Sequence, residues 1–209
     1  MKLLLYCTKQ MPRLVFTDGK WWLDNSKENT YWEKGQIAPI GYNDKIVAEC
    51  DYEVEEIKWN TTNWVDNFLT TKSMSEEELQ KRSCINGFNL REYFEICYDS
   101  INDSVVGYAI HIKNLHIFDE PRELSDYYKF DGIYNNINNW KPIKKAPQNM
   151  CYAYEYKCEL GFSGTMNRTL NKNILISIRP EWLCKILNGE KTIEVRKKIL
   201  KEMEGNNDK

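Results

Sequence analysis

The segment Gly189-Glu190-Lys191-Thr192-Ile193-Glu194-Val195-Arg196 holds the densest charged site candidate in the chain. On an alternating strand, Thr192, Glu194 and Arg196 share one face. Lys191 stands at the mouth of that strand beside Gly189, where the backbone is open to close approach. One carboxylate and two cations are thereby expected at one spot. Arg196 could grip a phosphate or a base edge as a planar fork, Lys191 could act as a point charge, and Glu194 could accept from an amino group. The same spacing also fits an ordinary Glu–Arg pair on a solvated strand face, an arrangement that contributes little to stability.

The other residue types able to do chemistry form no pattern. Cys7, Cys50, Cys84, Cys97, Cys151, Cys158 and Cys184 are irregularly spaced, without a C-x-x-C pair, and the histidines are His111 and His116. A structural zinc site needs four ligands at characteristic spacings, so no metal and no cofactor is expected. Most of these cysteines sit in apolar runs and read as small buried hydrophobes in a reducing compartment, which places the protein in the cytoplasm. The 29 Lys+Arg and 31 Asp+Glu give a formal net charge of -2. That argues against a broadly basic nucleic-acid coat and leaves room for a local basic pocket. No apolar run reaches the ~20 residues of a membrane span. The opening Met1–Cys7 is too short for a signal peptide and runs into Thr8-Lys9-Gln10. A membrane or secreted protein is therefore not expected.

The elements that must position these residues are mostly strands. Residues 2–7 read as a buried strand. Leu14–Phe16 and Trp21–Leu23 flank Asp18-Gly19, a hairpin turn signal. Residues 24–44 read as a loop. Ile46–Ile57 and Val106–Phe118 are long strands, the second ended by Pro121. Ser75 with Glu78 forms a capping box for a helix reaching Ser83. Gly87 breaks that helix, and Asn89 caps a second one over Leu90–Tyr98. Residues 129–146 are irregular and rich in Asn, and Met150–Tyr156 alternates as a strand. After a linker, Ile174–Ile178 is a buried strand. A helix follows, with Pro180 in its first turn and Gly189 just past its end. Lys191–Arg196 then alternates as a strand. Many strands with a few short helices, lacking regular strand–helix alternation, suit an α+β mixed barrel better than a doubly wound sheet.

The run from Ile174 to Lys197 strongly resembles the opening of the ASCH domain family, whose motif G-x-K-x-x-E-x-R is filled by Gly189, Lys191, Glu194 and Arg196. The remainder resembles the same family in a different order. Leu5-Tyr6-Cys7-Thr8-Lys9, Lys45–Glu49, Gly107–Leu115, Phe118–Leu124 and Ala146–Tyr152 match segments that usually follow the motif in phage and low-GC bacterial relatives. The resemblance implies a circularly permuted, PUA-like mixed β-barrel with short helices. Residues 1–157 would form its main part, 158–173 a linker, and 174–198 a β-α-β segment completing the barrel in cis or by swapping into a second copy. Residues 199–209 would be a charged tail.

The resemblance also implies function. Binding of RNA or a modified nucleotide is expected at a cleft lined by Lys191, Glu194 and Arg196, with Ser177, Arg179, His111, Gln148 and Tyr152 as further candidates. His111 alternates with Ile110 and Ile112, which would turn it away from the core. Trp21, Trp22 and Trp140 could stack on bases or serve as core. Many relatives carry Trp where this chain has Ala109 or Ile110, and where it has Met150. One branch of the superfamily resembles an amidohydrolase acting on acetylated cytidine. There Lys191 fills the place of the base and Glu194 that of the threonine nucleophile, so Glu194 could serve as general base, for RNA cleavage as well. A third reading is a phage protein that binds a host defence protein, its acidic surface standing in for nucleic acid.

Overall fold

The computed structural model describes residues 1–25, 41–61, 67–95, 104–130, 140–160 and 166–204. The chain folds into two compact units. Unit 1 comprises Met1–Asp51 and Asn114–Asn188, and unit 2 comprises Tyr52–Lys113 and Gly189–Lys209. The architecture is α+β, mostly mixed sheet with short helices.

Unit 1 is built around β1 (Leu3–Cys7), an uninterrupted apolar run that is buried at every position. That composition suits a strand covered on both faces. It lies parallel to β10 (Met166–Ile178), with Leu3 opposite Ile174 and Cys7 opposite Ile178. On its other side it runs antiparallel to β4 (Lys45–Thr61), with a register shift between Leu5 and Tyr6. β10 continues into β9 (Met150–Leu160), then β7 (Tyr128–Phe130) and β8 (Trp140–Pro142). Leu4, Tyr6, Ile46, Phe118, Tyr127, Ile143 and Leu175 share its core.

A separate hairpin joins β2 (Arg13–Thr17) and β3 (Lys20–Asp24). Its two turn residues, Asp18 and Gly19, have φ of 51° and 77°, the left-handed pair that a tight hairpin requires. Helix α3 (Pro180–Leu187) buries Leu183, Cys184, Ile186 and Leu187. Asn188, at its end, holds the hairpin by both backbone groups of one residue: its Oδ1 accepts from Trp21 N (3.2 Å) and its Nδ2 donates to Trp21 O (2.9 Å).

Unit 2 takes the far part of β4, which pairs with β5 (Asn67–Thr70), and part of β6 (Ser104–Arg122), which pairs with β11 (Ile193–Arg196). Helices α1 (Glu76–Ser83) and α2 (Gly87–Phe94) complete it. Ile57, Trp59, Leu69, Leu79, Leu90, Phe94, Ala109, Ile193 and Val195 form its own core. Gly107 is required there: a Cβ would come within 2.2 Å of the Phe94 ring and 2.8 Å of Arg196 O. A final short helix, α4, spans Lys201–Glu204.

The described pairings close no barrel in either unit. Other expectations are corrected. The expected linker at 158–173 is largely strand, because β9 and β10 pair from Leu160 opposite Met166 down to Met150 opposite Ile176. The two halves of the 174–198 segment fall in different units. Ile174–Ile178 pairs with β1 and Ile193–Arg196 with β6. Gly87 opens the second helix rather than breaking the first, and its cap is Asn86, whose side chain accepts from Asn89 N at 2.8 Å. The first helix ends instead at Cys84, with φ of 58°. Only half of its capping box forms: Ser75 accepts from Glu78 N, while the Glu78 carboxylate pairs with Arg82. Pro121 lies within the last residues of β6, where a missing N–H is tolerated at a strand end. Residues 26–40 of the loop, 131–139 of the Asn-rich stretch and 96–98 of the second helix lie outside the described residues.

Candidate functional site

The charged motif is assembled in unit 2 by β11 and the turn before it. Gly189, with φ of 76°, lets the chain leave α3 in the left-handed conformation. Thr192 N donates to Arg82 O (3.0 Å) and Thr192 O accepts from Ile112 N (2.9 Å), so the segment is already held before the strand begins. Ile193 and Val195 then face the core, which sends Glu194 and Arg196 to the other face.

Lys191, Glu194 and Arg196 converge on one carboxylate. Lys191 Nζ lies 3.4 Å from Glu194 Oε2, and Arg196 Nη2 lies 2.9 Å from Glu194 Oε1. Lys191 is 2% exposed and Glu194 7%. The ammonium also donates to Ser83 O at 2.6 Å, satisfying one of the carbonyls left over at the C-terminal end of α1 and placing a cation at the negative end of the helix. Burial holds the Lys191 amine below its ordinary lysine range, against the pull of Glu194, which favours the charged form. The site is therefore a dry cation–carboxylate–cation row, in contrast to a solvated surface pair. Its most accessible member is Arg196, whose side chain keeps 15% exposure.

His111 lies opposite Ile193 and is buried, 6% exposed, so it does not turn outward as the alternation of β6 suggested. Its Nδ1 is 3.3 Å from Arg82 Nη2. A guanidinium can only donate, so Nδ1 accepts and the ring proton sits on Nε2. That nitrogen is 3.7 Å from Glu55 Oε1, beyond hydrogen-bond length, and has no partner among the described residues. Burial, with help from Arg82 and against Glu55, lowers the imidazole pKa. Arg82 links this histidine to the motif, because its Nε donates to Thr192 Oγ1 at 3.2 Å. Thr192 is thus drawn to Arg82, where strand alternation had placed it on the face of Glu194.

The remaining candidates belong to unit 1. Ser177 is buried; its Oγ donates to Pro147 O (2.6 Å) and its N–H to Asn149 O (3.0 Å), which fixes the 147–149 turn beside it. Gln148 on that turn and Arg179 at the start of α3 are exposed, and Arg179 lies 3.9 Å from Glu181. Tyr152 is half-buried, with Lys172 Nζ 4.1 Å from its ring centroid. Trp21 is core, packed on Phe16 and Tyr42. Trp22 is 37% exposed with its indole N–H on Thr17 Oγ1, and Trp140 packs on Phe130 and Tyr154.

Arg82, Ser83 and Glu55 were missed by sequence reasoning. Arg82 and Ser83 approach the motif from α1, more than a hundred residues away, and Glu55 approaches His111 from β4; nothing local in α1 or β4 marks them. Burial pushes the Cys7 and Cys50 thiols up to about 12, as befits inert packing groups. Among the described residues no group of three His, Cys, Asp or Glu side chains is placed to hold a metal ion, and no helix is long and apolar enough to cross a membrane. No family model, no curated protein and no solved structure matches this chain.

Proposed function

We propose that this chain is an ASCH-like protein that binds RNA or a modified nucleotide, with Lys191, Glu194 and Arg196 as the anchor of its site. The observation that supports this reading most is the convergence of all three motif side chains on one buried carboxylate. Glu194 and Lys191 hold each other and the end of α1, which fixes Arg196 in position. A guanidinium preset in this way loses less freedom when it grips a phosphate or a base edge. With net charge -2, affinity comes from a few placed contacts rather than from a general basic field, so the dependence on salt is shallow. Anisotropy of labelled single-stranded RNA and DNA, with wild type and Arg196→Gln, tests the reading. Binding that falls about tenfold in a variant that remains folded supports it, and no binding by the folded wild type removes it.

A hydrolytic reading draws on a second observation, the burial of Lys191, which holds its amine below the ordinary lysine range. An amine that yields its proton readily is suited to act as a base. In this arrangement the ammonium is committed to Ser83 O and Glu194, and the Thr192 hydroxyl to Arg82. Release of acetate from acetylated cytidine, or cutting of RNA, would favour hydrolysis over binding alone.

A further inference from the structure

A cavity of about 290 Å³ opens within unit 2, with no motif residue in its lining, and is lined by Trp59, Glu76, Gln80, Phe88, Arg91 and Glu92 together with Gly87. The geometry points to this cavity as a binding site for a nucleobase, entered without its phosphate. The proposal takes its choice of ligand from the nucleotide-binding reading and its site from separate observations.

The walls are aromatic. Trp59 is 1% exposed, yet its indole Nε1 has no hydrogen-bond partner among the described residues. That nitrogen is enclosed, so Trp59 serves as an apolar part of the wall, with the Arg91 guanidinium 5.6 Å from its ring centroid. Phe88 is the reverse case, 77% exposed on the first turn of α2. A large apolar ring in water beside a cavity is a ready stacking surface, and a heterocycle that stacks on it recovers that burial.

The polar groups are also set. Gln80 Nε2 donates to Glu76 Oε1 (3.3 Å), which orients the amide and leaves its oxygen to accept. Glu76 is saturated: it also takes Arg91 Nη2 at 2.9 and 3.1 Å and Leu69 N at 2.9 Å. Gly87 permits this close wall, since a Cβ there would stand 2.5 Å from Gln80 Nε2. One acceptor is thereby offered to a planar ligand, and the Watson–Crick edge of every nucleobase carries a donor to meet it. Arg91 cancels the charge of Glu76, so the Glu92 carboxylate leaves the lining negative and repels a phosphate. The volume is at the small end of ligand pockets, enough for a ring system rather than a whole nucleotide.

The test is a titration of the full chain with adenosine, cytidine, guanosine, uridine and their 5′-monophosphates. It is followed by the indole N–H resonance of Trp59 in nitrogen-15 spectra, assigned by its loss in Trp59→Phe. At least one nucleoside should move that resonance saturably, the added phosphate should not tighten binding, and Phe88→Ala should weaken it about fivefold to a hundredfold. Phe88 is exposed, so its replacement leaves the core intact. No movement at millimolar nucleoside, or equal movement in Phe88→Ala, overturns the proposal. The two failures are separable. RNA bound equally by wild type and Phe88→Ala but lost in Arg196→Gln removes this cavity and keeps the proposed function. Nucleosides seated here with RNA indifferent to Arg196 remove the motif site and keep the cavity.

Discussion

Replacing Lys191 by methionine removes the ammonium while keeping the buried stem. Two interactions go with it: the bond to Ser83 O and the contact with Glu194 Oε2. A buried carbonyl left without a partner costs roughly 1–3 kcal/mol. Removing one partner of a buried ion pair costs roughly 3–5 kcal/mol when the other charge is stranded. Here Glu194 keeps Arg196 at 2.9 Å, and the variant no longer desolvates an ammonium, so the larger figure is reduced. The balance is a loss of roughly 2–4 kcal/mol, which for a chain of this size lowers Tm by roughly 5–15 °C. Thermal unfolding followed by circular dichroism measures it. Hydrogen exchange localises it, because the amides of Leu79–Ser83 should lose protection first once the end of α1 is released. Lys144→Met, at an exposed position, is the control and should change stability by no more than about 0.5 kcal/mol. A Tm within about 2 °C of wild type for Lys191→Met, with unchanged exchange in α1, would refute the reasoning by showing that the ammonium lives in water.

Other expectations follow from the same packing. Gly107→Ala forces a methyl against the Phe94 ring and Arg196 O, so it should destabilise by roughly 1–3 kcal/mol, and Phe94→Leu in the same chain should recover only the part due to the ring. Because burial lowers the His111 pKa, the unfolded chain takes up that proton first as pH falls. His111 therefore subtracts stability below about pH 6.5 and none above it; urea titrations from pH 5 to 7.5 should show a shallower slope in His111→Gln, and identical slopes would contradict this. Asn188→Ala removes both bonds to the Trp21 backbone and should cost roughly 1–3 kcal/mol in urea unfolding. Cys7 and Cys50, with thiols near 12, should resist iodoacetamide at pH 8 until the chain is unfolded, as read by mass spectrometry of the labelled peptides.

What was legible in the sequence follows from the range of the forces involved. The Asp18-Gly19 hairpin, the Ser75 cap, the Pro180 start and Gly189 end of α3, and the buried runs at 3–7 and 174–178 are all set within a few residues. Each appears where its local chemistry placed it. The pairing of Glu194 with Arg196 was readable because it needs only two residues of the same strand. Errors arose where tertiary contacts decide. Gly87 looks like a breaker, but its missing side chain serves the approach of α2 to Gln80 and Glu76. Residues 166–173 look like a linker because their polar side chains carry no apolar period, whereas their backbone is held by β9. His111 alternates like an outward residue, yet the Arg82 guanidinium and Ile193 enclose it. The most informative part of the site, the anchoring of Lys191 on the end of α1, joins residues 108 positions apart, and no local pattern could announce it.

The most direct test of the central claim is the anisotropy titration of short single-stranded RNA against wild type and Arg196→Gln, at low and moderate salt. The account predicts saturable RNA binding by wild type, little weakened by salt, and about tenfold weaker binding by a variant that loses one partner of Glu194 and still remains folded at the assay temperature. Folded wild type that leaves both RNA and DNA unbound would contradict it, and would turn attention to protein partners for the same acidic chain.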